Sequence, residues 1–463
     1  MNSAVALLPS PARPRALAPA RSPAAARHTV GFVLFILLNA VLFLRPAEVV
    51  PDLVGLNIYE YLILACFAFS FPVVLAQFTP KSLESRPITI CVLGLFLAIV
   101  LSHLAQLDFA KLFESGFFFA KIIVYYVLFV GLVDSPARLR IFLFWMLVFA
   151  TVTIALAVLQ FHGYITLPNL DQIVDVTHDR DTGQDVNFMR LCGSGIFHDP
   201  NELGVLIALS IVLALHWLSD RPSGLARFLW LAPMVLFLYA MTLTQSRGAL
   251  LALAAGLAVF LVARFGWRVA LLIGVLLAPA ALLIFAGRIT NLSTGDGTGQ
   301  QRIQVWSDAL VLMREAPLFG VGKDKFVESE GLVAHNSYLQ CFVELGVFGG
   351  MFFLGAVYLA VSHLYRLGNR RKHVITDQGM ARLYPYLFGM VATYAVGMVS
   401  LTLCYILPTY TILALATAYS GATPAEPALP ATRFDLRLLG RLLAVAVCGF
   451  GLLYLFVRLF VVR

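Results

Sequence analysis

His335 stands in "AHNSYLQ" (residues 334–340), beside an amide, a hydroxyl and a phenol. Its neutral imidazole can take a proton near pH 7, which an arginine cannot. Arg247 follows Ser246 in "LTQSRGALLAL", where one apolar run meets the next with almost no connection. Ser246 fits the capping position of a helix, which puts Arg247 in the first turn. A cation there opposes the helix dipole, which favours anions by about 0.3–1 kcal/mol. Arg302 repeats the anomaly at the start of "RIQVWSDALVLM". Helix N-termini and guanidinium forks both bind phosphate, so two arginines at two helix starts make sense around something anionic. His198 is the nearest competitor of His335 for an acid–base role.

Simpler roles stand beside these. Asp199-Pro200-Asn201-Glu202 has the form of a capping box, with proline at the first helical position. Ser337 and Gln340 fit the same pattern, so Asp199, Glu202, Ser337 and Gln340 are expected to act mainly as caps. Ile303, Trp306, Leu310 and Met313 recur at helical spacing. They predict an amphipathic helix over 302–314, on the membrane surface or against the bundle, and the stripe is structural. Each arginine alone is also compatible with an interfacial side chain reaching lipid headgroups.

The elements that must position these residues are membrane helices. The chain of 463 residues is 60% hydrophobic and 13% charged, against about 45–50% and about 25% in soluble domains. Apolar stretches long enough to cross about 30 Å of hydrocarbon recur from 30–46 to 440–460. They predict an all-α, polytopic transmembrane bundle of about 12–13 helices. Residues 1–28 read as a disordered basic cytoplasmic tail and 29–463 as the membrane domain.

The net charge of +8 is topological. Arg13, Arg15, Arg21 and Arg27 precede the first span, and pairs such as Arg138/Arg140 and Arg366/Arg370 fall in alternate loops. This bias puts the N-terminus and residues 365–383 in the cytoplasm, with two longer loops, 162–201 and 288–344, outside. Nucleic-acid binding is excluded, because no basic stripe carries base-stacking aromatics. The six cysteines show no metal spacing, and Cys192 and Cys341 are the pair near the outer face considered for a disulfide.

Four stretches, in order, carry a resemblance: "GSGIFHDPNELG" after an arginine, "TQSRGALLAL", "QRIQVWSDALVLMREAPLFGVG" and "AHNSYLQCFVELGVFGG". Over about residues 186–365 the chain resembles the O-antigen ligase and polymerase superfamily. The resemblance implies inverting glycosyl transfer without metal or cofactor, at the periplasmic face of a bacterial inner membrane. The donor it implies is a glycan on a polyprenyl diphosphate, presented from the lipid bilayer. Arg247 and Arg302 would hold the diphosphate, with Arg190 as a further candidate, and His335 would take the proton of the acceptor hydroxyl. His198 and Asn336 are secondary candidates.

Three acceptors stay open: a second lipid-linked glycan, lipid A–core, or a protein hydroxyl. A different class, a transporter or lipid-linked oligosaccharide flippase, would place ionisable residues along a path inside the membrane. Lys121 is the main intramembrane charge, and no internal repeat is visible.

Overall fold

The computed structural model describes residues 23–53, 55–167, 173–178, 185–276, 298–326, 333–369, 372–430 and 432–461. Most helix starts are written locally in the sequence. Proline stands at or next to the first position of α5 (Pro87–Ala105), α7 (Pro136–Phe161) and α8 (Pro200–Ser219). The Asp108 side chain caps α6 (Phe109–Leu132), and Asp435 caps α16 (Leu436–Phe460). These oxygens satisfy amide groups that a helix end leaves unpaired. The preceding helices are α1 (Pro23–Leu44), α2 (Pro46–Val49), α3 (Ile58–Gln77) and α4 (Pro80–Ser85).

After α8 come α9 (Leu231–Thr244), α10 (Arg247–Phe265), the short α11 (Trp267–Leu276) and α12 (Thr298–Met313). The bundle is completed by α13 (Ser337–Leu367), α14 (Gln378–Gly397), α15 (Leu407–Ala422) and α16. Among the described residues, ten helices are long and apolar enough to cross a membrane. The protein is a polytopic all-α membrane protein, as its composition predicts. Between α7 and α8 lies a hairpin, β1 (Ile173–His178) antiparallel to β2 (Asp185–Arg190), with Ile173 opposite Arg190. The expected span at 268–287 is helical to Leu276 and then leaves the described residues, as do residues 1–22 of the expected tail.

Cross-links define two ends. At one end, the Leu191 amide donates to Leu243 O at 3.1 Å, and the Ser337 amide donates to Met398 O at 2.9 Å. The Gly195 amide donates to Glu48 Oε2 at 2.8 Å. At the other end Arg140 pairs with Asp377 at 3.4 Å, and Arg382 with Asp220 at 3.5 Å. The 31-residue α13 connects the two ends.

Two glycine contacts set the core. Gly256 of α10 lies against Gly389 and Thr393 of α14, too close for any Cβ, so the two backbones meet directly. In α13 the helix breaks at Gly346, with φ 66° and ψ −169°. The segment before α13 fills the break. Val321 N donates to Val343 O at 3.1 Å and Gly322 N to Glu344 O at 3.0 Å, while Val347 N donates to Pro317 O at 2.9 Å. Irregular backbone at membrane depth persists only where its polar groups find such partners.

Cys192 and Cys341, the pair considered for a disulfide, are both buried and form none. The Cys192 thiol donates to Arg190 O at 3.5 Å.

Candidate active site

The segment leading into α13 is held on three sides. Asn336 is its cap, and its Oδ1 accepts from the amides of Tyr338 and Leu339, both at 3.1 Å. Ser337 was expected to cap and does not. Its Oγ instead donates to Leu401 O at 2.6 Å and accepts from Leu403 N at 2.8 Å. Gln340 also departs from the capping pattern, donating to Glu344 Oε1 at 3.2 Å. The side-chain oxygen of Asn336 caps the helix, and the Ser337 hydroxyl ties α13 to the chain after α14. Trp306 of α12 clamps the third side, its Nε1 donating to Ala334 O at 2.7 Å.

Between the clamped Ala334 and the cap sits His335, with φ 48°. Left-handed backbone is sparsely populated by residues with a Cβ, and neighbours on both sides must enforce it. The imidazole is half-buried. Burial, and then the Arg302 charge, hold it below its ordinary pKa, against the opposing pull of Asp199. It is therefore neutral at pH 7 and able to accept a proton.

Arg302 lies in the second turn of α12. Burial lowers its pKa, with the Arg190 charge adding to that and the Asp199 carboxylate opposing it. Its guanidinium nonetheless stays charged at neutral pH. Asp199 caps α8, accepting from Asn201 N at 2.7 Å and Glu202 N at 3.1 Å. The capping role read from sequence holds, and the same carboxylate also acts electrostatically on His335 and Arg302. Arg190 ends β2; its Nε donates to Thr244 O at 3.0 Å and its Nη2 to Asn201 Oδ1 at 2.9 Å. It joins the end of α9 to the start of α8.

The structure thus brings His335, Arg302, Arg190 and Asp199 into one field. Arg247 is placed differently. Ser246 caps α10, its Oγ accepting from Ala249 N at 3.2 Å, and Arg247 is the first helical residue, as expected. Its side chain is exposed, and its charge is not among those acting on His335 or Arg302. It stays at the same end, because the adjoining Gly248 packs against Ser400, in the turn that also receives Ser337. His198 is exposed beside Asp199, its own amide donating to Gly195 O at 3.2 Å. Asn336 is 1% exposed and spends its acceptor on the helix.

Two contributors escaped the sequence. Trp306 was assigned to a packing stripe, yet it positions His335 through Ala334. Asp199 was read as a cap only. An indole in an otherwise aliphatic stripe was the available sign of the first, since its N–H needs a partner when buried. Nothing local signalled the second.

A multi-helix membrane protein with arginines, a carboxylate and a neutral imidazole gathered at one end is the class these features define. Residues 232–354 match the family model described as O-antigen ligase, which bears out the resemblance to the O-antigen ligase and polymerase superfamily. The match contains Arg247, Arg302 and His335, and it supports glycosyl transfer of the ligase and polymerase type. No curated protein matches the chain.

Proposed function

We propose that the protein transfers a glycan from a polyprenyl diphosphate carrier to an acceptor hydroxyl in surface-polysaccharide assembly. The supporting observation is His335: a neutral imidazole on enforced left-handed backbone, in the field of Arg302 and Asp199. The acceptor oxygen attacks the anomeric carbon from the face opposite the diphosphate. The bond from that carbon to the phosphate oxygen breaks, inverting the centre, and the diphosphate leaves with the electron pair. The acceptor proton passes to the unprotonated ring nitrogen of His335.

A polyprenyl diphosphate is already a good leaving group, so two tasks remain. One is to activate a sugar hydroxyl, for which a positioned base contributes about 10²–10⁴-fold. The other is to neutralise charge on the departing diphosphate, where each fixed donor contributes about 10²–10³-fold. Arg302 and Arg247 serve the second task without a divalent ion, with Arg190, which ties the end of α9 to the start of α8, as a further candidate. The end carrying His335 faces the periplasm, and the acceptor is a growing glycan or lipid A–core.

The test compares purified wild type and His335→Gln, using lipid-linked donor and acceptor and measuring donor binding and transfer separately. Normal binding with transfer lost is the expected result. Wild-type transfer in the variant would remove His335 from the chemistry and turn attention to His198. EDTA should leave transfer unchanged; loss reversed by a divalent ion would overturn the metal-free step.

A further inference from the structure

A cavity of about 350 Å³ opens at the end of the bundle opposite His335. Arg86, Arg366 and Arg441 line it with His363, and no carboxylate does among the described residues. The arginines arrive from three places: the residue before α5, the last turn of α13 and the second turn of α16. Arg140 and Arg382, at the same end, are each paired with an aspartate. The cavity arginines have only neutral partners among the described residues. Arg366 donates to Thr432 Oγ1 at 3.1 Å and to Pro430 O at 3.5 Å, and Arg86 donates to Gln77.

A guanidinium bonded to neutral acceptors keeps its whole charge, and three converging on one cavity repel one another. Burial also holds Arg86 below its ordinary pKa. An anion between them removes both penalties. Guanidinium forks match phosphate oxygens in geometry as well as in charge. The rest of the lining is mixed, with the hydroxyls of Ser362, Thr417 and Ser420 in it. Tyr358 and Leu359 line the cavity as well, and Leu359 lies about 10 Å further along α13 than Arg366. The cavity therefore joins cationic side chains to apolar ones, as do basic pockets between membrane helices that hold lipid headgroups.

We propose that this cavity binds a phosphate group through Arg86, Arg366 and Arg441. The shared chemistry is a phosphate monoester or diester, supplied by an anionic phospholipid headgroup or by free phosphate. The site is separate from the reaction proposed above and does not depend on it.

Two arms of one experiment distinguish the sources, using the full-length protein. In the first, it is equilibrated with mixed phosphatidylcholine and phosphatidylglycerol, and retained lipid is counted by native mass spectrometry. Phosphatidylglycerol should be enriched about fivefold or more, the effect expected of basic side chains at an anionic headgroup. In the second, inorganic phosphate is titrated against chloride at constant ionic strength, and the thermal midpoint is followed. Enrichment in the first arm identifies the lipid; a rise in the midpoint confined to the second identifies free phosphate.

Whichever response occurs must vanish when Arg86, Arg366 and Arg441 are all changed to Gln. Arg441→Gln alone, at an exposed position, should weaken it while leaving the elution profile unchanged, and it decides the matter if the triple variant does not fold. No response in either arm, or a response that survives Arg441→Gln undiminished, overturns the proposal.

Discussion

Arginine and histidine meet at both ends of this bundle, and the two sets are built differently. Around His335 the charges are mixed: Asp199 opposes Arg302 at the imidazole, and Arg190 is committed to Thr244 and Asn201. The histidine stands on left-handed backbone held by neighbours from α12 and from the chain after α14. Around His363 the partners of Arg366 and Arg86 among the described residues are neutral, and the histidine belongs to the regular backbone of α13. A site where a proton and developing charge must move needs a base with a tuned pKa and a fixed place. A site that only retains an anion needs uncompensated charge, and regular helices supply that without strain.

The sharpest way to break this comparison is to remove the base. His335→Gln should lower turnover by about 10²–10⁴-fold with donor binding close to normal. The wild-type pH profile checks the electrostatics. Transfer should fall as pH drops through an imidazole pKa below the ordinary value, because protonation removes the base. Replacing Arg302 takes away a charge that depresses this pKa, so the acid limb of whatever activity remains should move to higher pH. A limb that stays put would mean Arg302 and His335 do not share a field.

The next largest effect belongs to the arginines. Arg302→Ala and Arg247→Ala should each cost about 10²–10³-fold in transfer, with normal membrane insertion. Lysine should rescue poorly, since a point charge does not reproduce a bidentate fork. Arg302 also acts on the His335 imidazole, so under the proposed mechanism its loss should be the larger. Near-normal transfer in both alanine variants would reduce them to anchors at the membrane surface.

Smaller effects probe the scaffold. Gly346→Ala forces a Cβ into left-handed backbone against Leu318. It should destabilise the protein by about 1–3 kcal/mol or more, read as a lower thermal midpoint in detergent. An unchanged midpoint would show that the break in α13 has another conformation available. Trp306→Phe deletes one hydrogen bond to Ala334, on the order of 0.5–1.5 kcal/mol. Turnover should fall by about 2–10-fold with donor binding retained. Equal losses in binding and turnover would make Trp306 a packing residue only.

Much of the site was legible in the sequence because its markers are local. Ser246 before Arg247 and Asp199 before Pro200 announce helix starts by the chemistry of the first turn, and the structure keeps both. Ser337 failed by one residue. Asn and Ser are both good caps, and which one accepts depends on where the rest of the chain needs a hydroxyl. Here Leu401 and Leu403 claimed it. The break at Gly346 was hidden for a related reason. A glycine inside an apolar run is ordinary, and only the arrival of residues 317–322 makes it a hinge in the backbone.

The sequence by itself determined the helices, their order and the residues able to accept a proton or hold an anion. Apolar length, caps and side-chain chemistry are properties of short segments, so no distant contact is needed to read them. Tertiary structure alone decided that Asp199 and Arg302 act on His335, and that Arg190 acts in turn on Arg302. These residues come from the ends of β2, the cap of α8, the second turn of α12 and the approach to α13. It also decided that Arg86, Arg366 and Arg441 converge on one cavity while Arg140 and Arg382 find carboxylates. Charge acts through space rather than along the chain, and helix packing sets those spaces.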